Sequence, residues 1–297
     1  MGWVRLLIKV IINLMIINSP NILINKKRVL NIRIKTFIFI IFIAFTSGCS
    51  FFHRGKNFSK ELNNKFNREI ISNYSKAISR NPENFLYYIE RGRAKHDYGD
   101  YVEAIQDYKN SFSLNPDLKV IFHIANSKYA YGDHKGAIKE YEKLLSKKLF
   151  QEQVFYYIAN SHLILLDYDE AIKNYTKSIN YDQDDANAYL NRGNAKFNIS
   201  DYKGSLKDYE KSININKKSY IAFNNMGVIK FKLGNYRSAL KDFKKSLRLN
   251  PRSYNTFYNK SLTHFELNEN KKACIDLKKS IKLGKEIFKG EYSKICT

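Results

Sequence analysis

Three cysteines and six histidines are the residues of this 297-residue chain best suited to nucleophilic or metal chemistry. The thiols are Cys49, Cys274 and Cys296; the imidazoles are His53, His96, His123, His134, His162 and His264. A zinc or cluster site needs ligands at short fixed spacings, and no two cysteines stand close enough to begin one. No Gly-rich phosphate loop and no nucleophile signature occurs. The acidic residues are spread along the chain and read as solvated charges. Catalysis therefore finds no constellation, and neither a metal nor a cofactor is expected.

A second group of residues is suited to a quieter chemistry, hydrogen bonding to another polypeptide. Asn126, Asn160 and Asn194 are 34 residues apart, and so are Asn191, Asn225 and Asn259. A side-chain amide offers a donor and an acceptor, so a row of them can pair with a peptide backbone whatever its sequence. Tyr156, Tyr157 and Phe197 lie among them and would add apolar contact. Asparagine is abundant throughout the chain, so the competing reading is that this row reflects composition alone.

The elements that must position these amides follow from the same period. Gly92, Ala125, Ala159, Gly193, Gly227 and Ser261 recur at 33 or 34 residues. Ala104, Ala137, Ala171, Ser205, Ala239 and Ala273 keep the same step, as do Tyr108, Tyr141, Tyr175, Tyr209, Phe243 and Leu277. Three registers on one period mark stacked helix-turn-helix units, in which small residues let two helices approach and a ring fills the gap beside them. Gly99, Gly132 and Gly234 suit turns within hairpins, while Asn81-Pro82, Asn115-Pro116 and Asn250-Pro251 end second helices. Only 4 prolines and 13 glycines interrupt the chain, and 22 tyrosines and 20 phenylalanines supply filling.

Segments such as Ala188-Tyr-Leu-Asn-Arg-Gly-Asn-Ala-Lys-Phe and Asp201-Tyr-Lys-Gly-Ser-Leu-Lys-Asp-Tyr-Glu resemble the tetratricopeptide-repeat consensus. The resemblance implies an all-α fold, a right-handed superhelical solenoid of about six units at 85–117, 118–151, 152–185, 186–219, 220–253 and 254–284. Residues 60–84 read as a degenerate half-unit that caps the N-terminal end, with Tyr74 and Ala77 in register, and 285–297 as a closing cap helix. His162 and His264 share a place in the repeat three units apart, too far to share a metal.

The resemblance also implies that first helices line a concave groove for extended peptides. The asparagines occupy its sixth and ninth places, counted from the first residue of each unit. The fifth places (Ile89, Phe122, Tyr156, Leu190, Asn224, Tyr258) carry no basic residue, so an acidic chaperone tail is not the expected ligand. The second helices carry Lys173, Lys177, Lys207, Lys211, Lys241, Lys244, Lys245, Lys278 and Lys279, which the resemblance puts on the convex side, solvated or against anionic lipid.

The N-terminal 48 residues read as an address. Basic residues from Lys26 to Lys35 precede the apolar run 36–46, and Ser47-Gly48-Cys49 resembles a bacterial lipobox with Thr46 where leucine is preferred. Cys49 is the expected lipidation site and 49–59 a tether; an uncleaved signal anchor is the other reading. A second apolar stretch at 3–17 suggests that translation begins downstream, for example at Met15. In an exported protein, Cys274 and Cys296 can close a disulfide that staples the cap; otherwise they are two free thiols.

The net charge of +23 points toward anionic partners. Residues 1–48 hold seven of the 51 basic residues, so 44 remain against 28 acidic, an excess of +16. The row of groove places is mostly neutral, which argues against nucleic acid. The sequence thus reads as a non-enzymatic scaffold, anchored to the bacterial cell envelope, with other proteins as partners. A signal-anchored basic repeat facing the cytoplasm and associating with nucleic acid or membrane is the rival.

Overall fold

Helix boundaries in this chain are set by short polar caps and by residues that accept positive φ. The computed structural model describes residues 51–286 and 289–296; the segments read as a signal and as the Cys49 lipidation site lie outside them. The chain divides into two units, residues 1–66 and 67–297. The described part of the first is the opening of helix α1 (Phe51–Arg80), so residues 51–59, read above as a tether, are helical. Nothing in Phe51–Ser59 other than Gly55 opposes helix, and no proline interrupts it.

Beyond α1, twelve helices pair into six hairpins: α2 (Phe85–Tyr98) with α3 (Tyr101–Leu114), α4 (Leu118–Tyr131) with α5 (His134–Ser146), and α6 (Gln151–Ile164) with α7 (Tyr168–Tyr181). They continue as α8 (Ala186–Asn198) with α9 (Tyr202–Ile215), α10 (Tyr220–Lys232) with α11 (Tyr236–Leu249), and α12 (Tyr254–Glu266) with α13 (Asn270–Lys282). A short α14 (Lys289–Cys296) packs on α13 and is joined to it by a disulfide between Cys274 and Cys296. Each second helix also packs on the first helix of the next hairpin, so the hairpins stack into the all-α solenoid that the period implied.

The three registers meet inside each hairpin. Ala104, Ala137, Ala171, Ser205, Ala239 and Ala273 are fully buried, and the rings of Tyr141, Tyr175 and Phe243 are equally inaccessible. A Cβ built on Gly193 would come within 2.7 Å of Tyr209 Cε1, which is why the smallest residues hold that place. A further rung is a buried serine: Ser178, Ser212, Ser246 and Ser280 each donate to a backbone carbonyl in the first turn of the first helix of their own hairpin, at 2.8–3.2 Å. Gly99 and Gly132 take φ of 107° and 94° at the ends of α2 and α4, where a side chain would be strained.

Candidate interaction surface

First helices of neighbouring hairpins touch one another, α2 with α4, α6 with α8 and α10 with α12 directly, α4 with α6 through the rings of Phe122 and Tyr157, and α8 with α10 through Asn194 and Asn225, which makes their exposed sides one continuous surface. The sixth and ninth places lie at these junctions. Tyr175 Oη donates to Asn160 Oδ1, and Asn191 Nδ2 donates to the same oxygen at 3.3 Å and to Tyr156 Oη at 3.3 Å. One repeat further on, Tyr209 Oη donates to Asn194 Oδ1 at 2.8 Å and Asn225 Nδ2 donates to it at 2.9 Å. The row continues from Asn224 Nδ2 to Asn225 Oδ1 and from Asn259 Nδ2 to Asn224 Oδ1, both at 3.1 Å.

The expected asparagine row is therefore two hydrogen-bonded groups, one around Asn160 and Asn191, the other running from Asn194 through Asn225 to Asn259. Asn126 stands apart: it accepts from Tyr141 Oη at 2.6 Å, but the sixth place of the following hairpin is Tyr157, which stacks on Tyr141 at 5.7 Å. The ninth-place asparagines have a structural duty, since each satisfies the hydroxyl of a buried tyrosine. Burial raises the phenols of Tyr141, Tyr175 and Tyr209 above the usual value, so they remain donors at any ordinary pH.

Asn194, Phe197, Asn198, Tyr209, Asn225 and Val228 line an open cavity of about 280 Å³. Amide groups and an apolar floor meet there, the combination that takes a backbone and one apolar side chain. Phe197 also packs against Tyr202, Tyr156 against Tyr175 and Tyr157 against Tyr141, so all three aromatic candidates are half-buried supports and Phe197 alone of them is a wall of this cavity.

The row changes character at its N-terminal end. The ninth place of the first hairpin is Arg93 and the sixth of the next is His123, 3.5 Å apart. Arg93 pairs with Glu90 at 3.0 Å, and His123 stacks on Tyr108. Burial first, and then the charge of Arg93, pushes the His123 imidazole down to about 4.

The acidic residues correct the sequence reading. Asp107, Asp208, Asp242 and Asp276 are not solvated; each is buried between the helices of its hairpin. Arg192 grips Asp208 with two hydrogen bonds at 2.9 and 2.7 Å, and Lys196 adds a third contact at 2.8 Å. Arg91 and Lys95 hold Asp107 in the same way, Lys230 reaches Asp242, and Lys260 reaches Asp276. His264, buried at the place where four other repeats have lysine and one has His162, lies 3.6 Å from Asp276 and 2.5 Å from Glu269. Among the described residues no group of three or more His, Cys, Asp or Glu could hold a metal ion, and no helix is long and apolar enough to cross a membrane.

Family models of the tetratricopeptide repeat match residues 220–253 and 186–219, and a model of the TPR repeat matches residues 167–200. The chain carries TPR repeats. Among solved structures, YrrB, described as a TPR protein with an unusual peptide-binding site, is 19% identical with a TM-score of 0.53, over 63% of this chain and 97% of its own. A tetratricopeptide repeat protein from Parabacteroides merdae is 16% identical with a TM-score of 0.57, over 80% of this chain and 97% of its own. MamA is 21% identical with a TM-score of 0.51, over 54% of this chain and 94% of its own. At such identities the likeness of these TPR structures is one of fold. No curated protein matches the sequence.

Proposed function

We propose that this protein is a non-catalytic scaffold that holds extended segments of other proteins along the surface of its first helices. The observation that carries the reading is the geometry around Asn194 and Asn225. Their mutual hydrogen bond uses Asn194 Oδ1 and Asn225 Nδ2, which leaves Asn194 Nδ2 to meet a carbonyl of a visiting strand beside a cavity sized for one apolar side chain. Asn191 Nδ2 is likewise engaged with Asn160 Oδ1, which leaves Asn191 Oδ1 to accept from a visiting backbone amide. Protein binding is the common use of a TPR surface, and the peptide-binding site named for YrrB is consistent with it. The segment ending at Cys49 would fix the scaffold to a membrane of the bacterial envelope by lipidation, or by an uncleaved anchor.

The test is selection of random twelve-residue peptides on the immobilised full chain, followed by calorimetry. Selected peptides bind the wild type, lose at least roughly tenfold in affinity against Asn160→Ala/Asn194→Ala/Asn225→Ala, and fail when their own backbone amides are methylated. Peptides that bind the triple variant equally well place recognition elsewhere.

A further inference from the structure

The same buried aspartates that stitch the hairpins strip the outer helices of negative charge. The only acid of α11 is Asp242, buried and paired with Lys230, while Arg237, Lys241, Lys244, Lys245 and Arg248 are all exposed. The only acid of α13 is Asp276, buried and paired with Lys260, while Lys271, Lys272, Lys278, Lys279 and Lys282 are exposed, Lys272 being paired at 3.1 Å with Glu269 at the N-cap just outside the helix. Two neighbouring second helices thus present cations with no exposed acid on either. A regular rung ties them to the repeat: Lys177, Lys211, Lys245 and Lys279 lie over Phe155, Tyr189, Phe223 and Phe257, with the ammonium 4.7–5.8 Å from the ring centroid. Ile275, 65% exposed, stands on α13 at the place where the preceding hairpins have Lys173, Lys207 and Lys241.

We propose that the outer faces of α11 and α13 form a docking surface for an anionic lipid bilayer. Compact ammonium charges spread over two helices match a sheet of headgroups better than one discrete anion. The exposed Ile275 among them suits the headgroup boundary, where an apolar side chain gains by shallow insertion. Single-stranded nucleic acid is the poorer fit, because the rings that could stack on bases are capped by their own lysines. The proposal is independent of the Cys49 anchor and of the peptide surface on the first helices.

Lysine acylation footprinting of the full chain, read by mass spectrometry, tests this with or without a working anchor. Vesicles of neutral phosphatidylcholine are compared with vesicles containing a third phosphatidylglycerol. The proposal expects Lys241, Lys244, Lys245, Lys278 and Lys279 to be protected at least roughly fivefold on the anionic vesicles only, with protection lost in 0.5 M salt. Lys139, exposed on α5, stays reactive throughout. In K241E/K244E/K245E, the lipid concentration that half-protects Lys278 and Lys279 rises at least roughly 100-fold. Equal protection on neutral vesicles, no protection, unchanged protection in the variant, or stronger protection by duplex DNA each overturns it.

Discussion

Asn225 Nδ2 donates across a repeat boundary to Asn194 Oδ1 at 2.9 Å, and that one oxygen also receives the hydroxyl of Tyr209 from within its own hairpin. Asn194 therefore belongs to the core and to the surface together, whereas Asn225 leans on it and accepts from its neighbour Asn224. Asn194→Ala strands the hydroxyl of a tyrosine that is 1% exposed and should lower stability by about 1–3 kcal/mol. Asn225→Ala should cost under about 1 kcal/mol, since its amide can turn to water. Denaturant unfolding of the two variants checks the order; equal losses would mean that the two amides share the structural duty.

Tyr209 also sets what Gly193 can become. Alanine fills this place at Ala125 and Ala159 beneath Tyr141 and Tyr175, so the repeat tolerates one methyl with a small shift. Gly193→Ala should cost no more than about 1 kcal/mol, while Gly193→Leu should cost at least about 3 kcal/mol by displacing the ring. Thermal unfolding separates them, and a leucine variant that melts like wild type would refute the packing described.

The buried carboxylate of Asp208 faces two cations, Arg192 and Lys196. Asp208→Ala leaves both without their anion and should destabilise by roughly 3–5 kcal/mol, in contrast to a surface acid such as Glu210. Adding Arg192→Leu to Asp208→Ala should recover part of the loss, because one uncompensated charge goes with it. Strict additivity in that cycle would show that the pair is not coupled.

His123 gives the fold a pH dependence of definite sign. Its proton is held less tightly in the folded chain, near 4, than at the ordinary 6.5, so the unfolded chain binds more protons between those values. The contribution is complete above pH 6.5 and is lost as pH falls toward 4, a span worth roughly 3 kcal/mol. His123→Asn, which installs the amide found at this place in Asn191 and Asn225, should flatten that part of the profile. Melting temperatures at pH 7.5 and 5 decide it; an unchanged slope would assign the dependence to other groups.

The hairpins were legible because their signals are local and periodic: Gly193, Ser205 and Tyr209 each keep their place in the 34-residue step. The aspartates were not. Arg192, Lys196 and Asp208 follow the same step as Arg91, Lys95 and Asp107, yet a lone helix gives a charged side chain no reason to leave water. Only closure of the hairpin brings the seventh, eleventh and twenty-third places together and makes burial favourable. The asparagine row was visible by position, but its break at Asn126 was hidden, because Tyr157 satisfies the period while offering a ring where its neighbours offer an amide. A recount of cations and acids could have found the bare outer faces of α11 and α13, once it was known which acids are buried.

The central claim is that partners lie along the first helices and are read through amides. A photo-crosslinking amino acid placed at Phe197, in the cavity beside Asn194 and Asn225, tests it in intact cells, with the same group at Lys244 on the outer face as comparison. Crosslinks are expected from position 197 to short, extended segments of specific proteins, and are lost when Asn194→Ala and Asn225→Ala are added. Protein crosslinks that arise only from position 244, or that persist from 197 in the variant, would contradict it.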